Sequence, residues 1–166
     1  MPKLSAGVLL YRIINRKLEV LLVHPGGPFW AKKDAGAWSL PKGEYLEGEE
    51  PWAAAQREFR EETGQSVPTN EPLPLGEVKY NNKVLTAWAI EGDLDVRSLH
   101  SNLFSMEWPL HSGTKQEFPE VDRGEWCSAL SARTKLVDGQ VEFISRLEDL
   151  LHIEPPVVPP TQTSFL

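Results

Sequence analysis

A single cysteine, Cys127, is all the thiol chemistry this chain of 166 residues holds. No internal disulfide can form, and the expected setting is a reducing cytoplasm. Long apolar runs are missing as well, and none approaches the roughly 20 residues of a membrane-spanning helix. The path from Lys3 through a short apolar run to Arg12 offers no small-residue cleavage site, which argues against a signal peptide. Positive charge is in deficit. With 17 basic against 24 acidic residues and a formal net charge of −7, no general field draws the chain to duplex nucleic acid or an anionic membrane. His24, His100, His111 and His152 lack the short spacing of a zinc site. No phosphate-binding P-loop is present either: no Gly-Lys-Ser/Thr follows Gly26-Gly27, and Ser112-Gly113-Thr114-Lys115 runs in the wrong order. Nothing fixes a Ser or Cys nucleophile beside a base.

Glutamate, by contrast, is concentrated and ordered. Glu58, Glu61 and Glu62 stand at spacings of three and four, which on an α-helix places them on one face. The segment around them reads as a helix. Pro51 opens it where a missing N–H costs nothing, Ala53 to Arg57 favour it, and Gly64 closes it as a left-handed residue. Trp52, Ala55, Phe59 and Ala54 form the expected buried stripe. Like charges at such spacing oppose helix formation by about 0.2–0.5 kcal/mol per pair, so folding alone gives little reason for the cluster. A hard divalent cation turns that repulsion into coordination, because Mg²⁺ and Mn²⁺ prefer carboxylate, carbonyl and water oxygens.

The length suits one domain, expected over residues 1–153. Leu4–Ile14 and Lys17–Val23 read as strands of a central hairpin turning at Asn15-Arg16. A Gly/Pro-rich loop from His24 carries Phe29, Trp30, Lys32 and Lys33 to a short strand at Trp38-Ser39-Leu40. Leu75–Tyr80 and Lys83–Glu91 read as a second hairpin with a two-residue turn at Asn81-Asn82. Asn102–Trp108 reads as a strand, followed by a loop through Lys115, and Val121–Cys127 as a short extended or turn segment. Leu130–Leu136 and Val141–Leu151 read as helices, the second docking through Phe143, Ile144, Leu147, Leu150 and Leu151. The tail 154–166, with Pro155-Pro156 and Pro159-Pro160, is expected to be extended and flexible.

Gly43, five residues, Glu49, seven residues, then Arg57-Glu58-Phe59-Arg60-Glu61-Glu62-Thr63-Gly64 matches the Nudix box. The chain therefore resembles a Nudix hydrolase. It departs from the box only at Gln65, where the family has an aliphatic residue that helps pack the helix. The resemblance implies an α/β/α sandwich with a mixed β-sheet. It also implies hydrolysis of a nucleoside diphosphate linked to another group, by water attack at phosphorus, using Mg²⁺ or Mn²⁺. By position, Glu58 and Glu62 are the leading metal ligands, and Glu61 is a further ligand or orients the water. The backbone carbonyl of Gly43 is another ligand, and Arg57 holds the loop by pairing with Glu49. Many such enzymes add a late-loop carboxylate; Glu120 is the first candidate, with Glu117 and Asp122 behind it.

Lys42, beside Gly43, is placed to meet a phosphate as a point charge. Lys33, Trp30 and Phe29 are candidates for substrate contact, the aromatics by stacking on a base, while Trp38 reads as core. A closer resemblance, carried by Leu21 to Asp34, Trp38 to Tyr45, Glu107-Trp108-Pro109 and Phe118 to Arg123, is to a bacterial subgroup described as predicted Nudix-type NTP pyrophosphohydrolases. The expected substrate is thus a nucleoside triphosphate. Dinucleoside polyphosphates, nucleotide sugars, ADP-ribose and a non-catalytic nucleotide-binding regulator are the alternatives. The implied partner is a small nucleotide, with the protein a monomer or a homodimer.

Overall fold

Near-continuous apolar tracts make strands that are covered on both faces, and two of them build the centre of this molecule. In the computed structural model, which describes residues 1–154, β1 (Lys3–Ile14) and β2 (Lys17–Pro25) form an antiparallel hairpin. Asn15 and Arg16 turn it with positive φ at both positions, the geometry that matches strand twist. The expected second hairpin is present too, as β4 (Leu73–Tyr80) and β5 (Lys83–Glu91), with Asn81 and Asn82 also at positive φ. β5 runs parallel to β1 along Lys3–Tyr11. The strand order β4-β5-β1-β2-β8, where β8 is Val121–Ser128, gives a mixed sheet. A short strand, β3 (Lys42–Glu44), pairs with Ser5–Gly7 of β1, on the edge that β2 occupies farther along.

The period of two along the strands sorts side chains to two faces. Ala6, Val8, Leu10 and Leu21 pack beneath α1 (Pro51–Thr63), against Ala54, Ala55 and Phe59. Leu9, Tyr11, Val20 and Leu22 face α2 (Ala129–Lys135) and α3 (Glu142–Leu151). The result is the α/β/α sandwich with a mixed sheet. Trp52 is only partly buried, tilted against Trp88 at 5.2 Å between ring centroids. On α3 the stripe is Phe143, Ile144 and Leu147, with Leu151 partly buried; Leu150 falls off it and is 47% exposed. Arg133 of α2 and the buried Glu148 of α3 form an ion pair that joins the two helices.

Three segments differ from expectation. Trp38–Leu40 is not a strand, because its backbone is divided among several elements. Trp38 N donates to Lys135 O, Ser39 N to Val23 O, and Leu40 N to the Gln140 side chain; regular pairing begins only after Pro41. Residues 115–119 are a strand, β7 (Lys115–Pro119), paired with β6 (Leu103–Glu107) in a separate two-stranded sheet. Its polar sequence carries little strand signal, and the pairing supplies what propensity does not. Val121–Ser128 is a full strand, held by β2 across seven registered pairs from Glu19–Ser128 to Pro25–Val121. The expected flexible tail lies, from residue 155 on, outside the described residues.

Candidate active site

Helix α1 is fixed at both ends by local chemistry. The Glu50 carboxylate accepts from Trp52 N at 3.1 Å and Ala53 N at 2.9 Å, capping the first turn. Gly64 sits at φ 78°, and its N–H reaches Arg60 O at 2.8 Å, a left-handed termination glycine adopts without strain. Between these ends the helix turns Glu58 and Glu62 toward the box loop. β3 brings Gly43 so close to Glu58 that a Cβ at residue 43 would lie 2.0 Å from the Glu58 carboxylate oxygen. Only a glycine fits over that side chain.

Arg57 organises the acidic face. Its Nη2 donates to Glu49 at 3.1 Å and its Nε to the other Glu49 oxygen at 3.3 Å, a two-pronged pair. Its Nη1 donates to Glu58 at 2.7 Å and lies 3.4 Å from Glu61. Glu49 and Arg57 thus tie the loop to the helix, while Glu58 and Glu61 are held through the same guanidinium. Glu62 accepts from the backbone N–H of Lys42 at 3.3 Å.

Glu58, Glu62 and Glu120 are raised in proton affinity, each for reasons visible in the packing. Burial raises the Glu58 carboxyl against the Arg57 hydrogen bond, with the charges of Glu61 and Glu120 adding to the rise. Glu62 is pushed up to about 8 by burial, with Lys42 opposing and Glu58 and Glu120 contributing. Glu120 is raised by burial and then by Glu61, again against Lys42. Glu120 comes from the turn between β7 and β8, so a residue far along the chain joins the helix cluster.

A cleft of 330 Å³ opens beside these groups, lined among others by Trp30, Lys42, Glu62, Tyr80, Lys83 and Glu120. A second hollow, of 300 Å³, adjoins it and shares Pro25, Trp30 and Glu120. Lys33 lines neither; its ammonium stands 4.9 Å from the Trp30 ring centroid. Glu117 and Asp122 also lie outside both hollows. Trp38 is buried in the core.

Four residues were not legible as site components. Tyr80 and Lys83 flank the Asn-Asn turn, and Gln140 follows α2; none belongs to a motif. Buried Gln140 donates to Ser39 Oγ and Tyr80 Oη, both at 2.9 Å, and accepts from Leu40 N at 3.0 Å. The fourth, His24, is fully buried, with Nδ1 2.9 Å from Asp122 and Nε2 2.6 Å from the Lys33 carbonyl. It pins the loop bearing Trp30 to the strand that follows Glu120. Its only sequence signal is its place at the end of an apolar strand.

The donor set suits a hard divalent cation: carboxylates that raise one another's proton affinity, and a glycine leaving room above Glu58. Among the described residues, however, no three acidic, His or Cys side chains already stand as a ready cage.

A sequence model of the NUDIX domain matches residues 3–147. The chain belongs to the Nudix domain family. With the box glutamates all present, it is a Nudix hydrolase, an enzyme class that works with divalent metal ions and binds small nucleotides. Solved structures agree on the Nudix fold. A Caenorhabditis elegans Ap4A hydrolase binary complex is similar at TM-score 0.63 and 22% identity, over 89% of this chain and 98% of that one. The NUDIX domain of Shewanella oneidensis NrtR complexed with ADP ribose gives TM-score 0.62 and 17% identity, over 91% and 89%. A MutT protein from Methanosarcina mazei Go1 gives TM-score 0.57 and 19% identity, over 90% and 94%. No helix among the described residues is long and apolar enough to cross a membrane.

Proposed function

We propose that this Nudix hydrolase is a pyrophosphohydrolase of nucleoside triphosphates or closely related nucleoside diphosphate derivatives, using Mg²⁺ or Mn²⁺. The observation that carries the reading is the meeting of Glu62, from the box helix, with Glu120 and Lys42 at one cleft. Glu58, Glu62 and the Gly43 carbonyl would hold the cation, with Glu61 as a further ligand or as the group that orients the attacking water. When bound, the metal neutralises phosphate charge and lowers the pKa of water. Glu120 would take a proton from the attacking water, and burial raises its affinity for protons. Lys42 offers its ammonium to a phosphate oxygen, and Trp30 offers a ring face beside it. Glu49, Arg57 and Gly64 hold the loop and helix in register. Lys33 supports Trp30 through its ammonium over the ring.

Retention of all the box glutamates favours catalysis over a purely regulatory nucleotide-binding role. The lone, buried Cys127 fits a reducing cytoplasm. The protein works as a monomer or a homodimer, a matter for light scattering. The central test is a Mg²⁺-dependent activity screen over a nucleotide panel, with Glu62→Gln as control. The variant is expected to lose at least a hundredfold in turnover, and unchanged product formation would place the activity elsewhere.

A further inference from the structure

The two hollows that meet at Glu120 and Trp30 differ in kind. In the larger, the cations are Lys42 and Lys83. Among the described residues neither ammonium is ion-paired, whereas Lys3 and Lys135 each reach a carboxylate. Tyr80 completes this arm. Gln140, fully buried, has its carbonyl oxygen taken by Leu40 N and donates to the Tyr80 oxygen at 2.9 Å. Tyr80 is therefore an acceptor toward Gln140 and keeps its own proton to donate into the cleft.

The smaller hollow has the opposite chemistry. Its only ionisable lining group is Glu120, at the border it shares with the first. Its walls are Phe29, Trp30, Phe104 and Met106, with the Gly26–Pro28 backbone between them. Phe29 and Trp30 keep 52% and 39% of their surface exposed. Phe104 and Met106 alternate inward along β6, so the small β6–β7 sheet forms one wall of this arm.

We infer that the cleft is directional: it accepts a polyphosphate bearing one base, seats that base between Trp30, Phe104 and Met106, and sends the terminal phosphates to Lys83 and the Tyr80 hydroxyl. The inference rests on the pyrophosphohydrolase reading and narrows its substrate to a nucleoside with a free anionic end. A terminal phosphate in the apolar arm finds no cation, and among donor side chains only the Trp30 indole N–H, so most of its solvation is lost without replacement. A second base in the polar arm strands two unpaired ammonium groups and a donating hydroxyl, which selects against bridged dinucleotides. A base stacked on aromatic faces needs no charge, so an acidic protein holds it without opposing its own field.

Calorimetric titration in the Glu62→Gln background, where turnover does not interfere, separates the arms. The probes are ATP, inorganic triphosphate and diadenosine tetraphosphate, each with Mg²⁺. Adding Lys83→Ala is expected to weaken ATP and triphosphate alike, by about tenfold, the scale of one charge-assisted contact. Tyr80→Phe acts in the same direction with a smaller factor. Adding Phe104→Ala is expected to weaken ATP about tenfold and leave triphosphate unchanged. Phe104 also packs on Phe118 at 6.0 Å, so Met106→Ala repeats the test should the small sheet loosen. The diadenosine compound binds no tighter than ATP.

Equal losses for ATP and triphosphate in both apolar variants overturn the proposal. So does indifference of both ligands to Lys83→Ala, or tenfold tighter binding of the two-base probe. If the expected binding pattern appears while the wild type hydrolyses no nucleotide, the hydrolase reading fails and the direction of the cleft stands.

Discussion

Replacing Glu62 by Gln should stabilise the metal-free protein, and the gain should depend on pH. The carboxyl rises from 4.5 to about 8 in the folded chain, chiefly because burial penalises its charge. Between those values the folded chain keeps a proton that the unfolded chain gives up. Stability therefore falls as pH climbs from about 4.5 and levels off above about 8. The full shift corresponds to at most about 5 kcal/mol; Glu62 is partly exposed in the cleft, and solvent screening brings the expected gain to about 2–3 kcal/mol. Glutamine keeps an oxygen for the Lys42 N–H and carries no charge, so the gain should be near zero at pH 4 and complete at pH 9. For a chain of this size it amounts to an increase in Tm of about 4–12 °C. Scanning calorimetry in EDTA across that range reads it directly. Added Mg²⁺ should then stabilise the wild type more than the variant. An equal Tm difference at pH 4 and pH 9 would refute the claim that the Glu62 charge is a buried cost which a cation relieves.

Glu120→Gln should lower kcat by about a hundredfold or more, with KM nearly unchanged, as expected for removal of a general base; near-normal turnover in steady-state assays removes Glu120 from the mechanism. Gly43→Ala places a methyl where the Glu58 carboxylate stands, 2.0 Å from its oxygen. The carboxylate must swing away, so Mn²⁺ affinity read by electron paramagnetic resonance should fall at least tenfold while far-UV circular dichroism holds. Burial pushes the Cys127 thiol up to about 11, and thiolate is the reactive form. A thiol reagent at pH 8 should therefore label Cys127 only as the protein unfolds, with labelling tracking the denaturant midpoint.

What the sequence made legible was local. Glu58, Glu61 and Glu62 lie within two helical turns, so their spacing alone puts them on one face, and Pro51 and Gly64 mark the helix ends. The turns at Asn15-Arg16 and Asn81-Asn82 were equally readable, because positive φ leaves a mark on residue choice. The rest depended on partners distant along the chain. Gln140 reaches Ser39, Leu40 and Tyr80 only because the 138–140 turn packs under the start of the box loop. Val121–Ser128 becomes a full strand because β2 lies beside it, and polar Lys115–Pro119 becomes one because β6 does. Trp38–Leu40 shows the converse: apolar and strand-like in isolation, it is drawn to several neighbours and forms no ladder.

The long central strand has an uneven arrangement on its two sides. Along one side β1 is paired with β5 from Lys3 to Tyr11; along the other, β3 takes Ser5–Gly7 and β2 takes Tyr11–Ile14. Residues 26–41, which leave β2 and return as β3, emerge from that parting and carry Phe29 and Trp30 to the cleft. Insertions or deletions at the tip of this segment, around Phe29 and Trp30, would change which molecules gain admission while the buried stretch from Ala37 on and the strand ladders stayed in place. Selectivity and structural integrity are thereby housed in separate stretches of chain, leaving the first free to diverge without endangering the second.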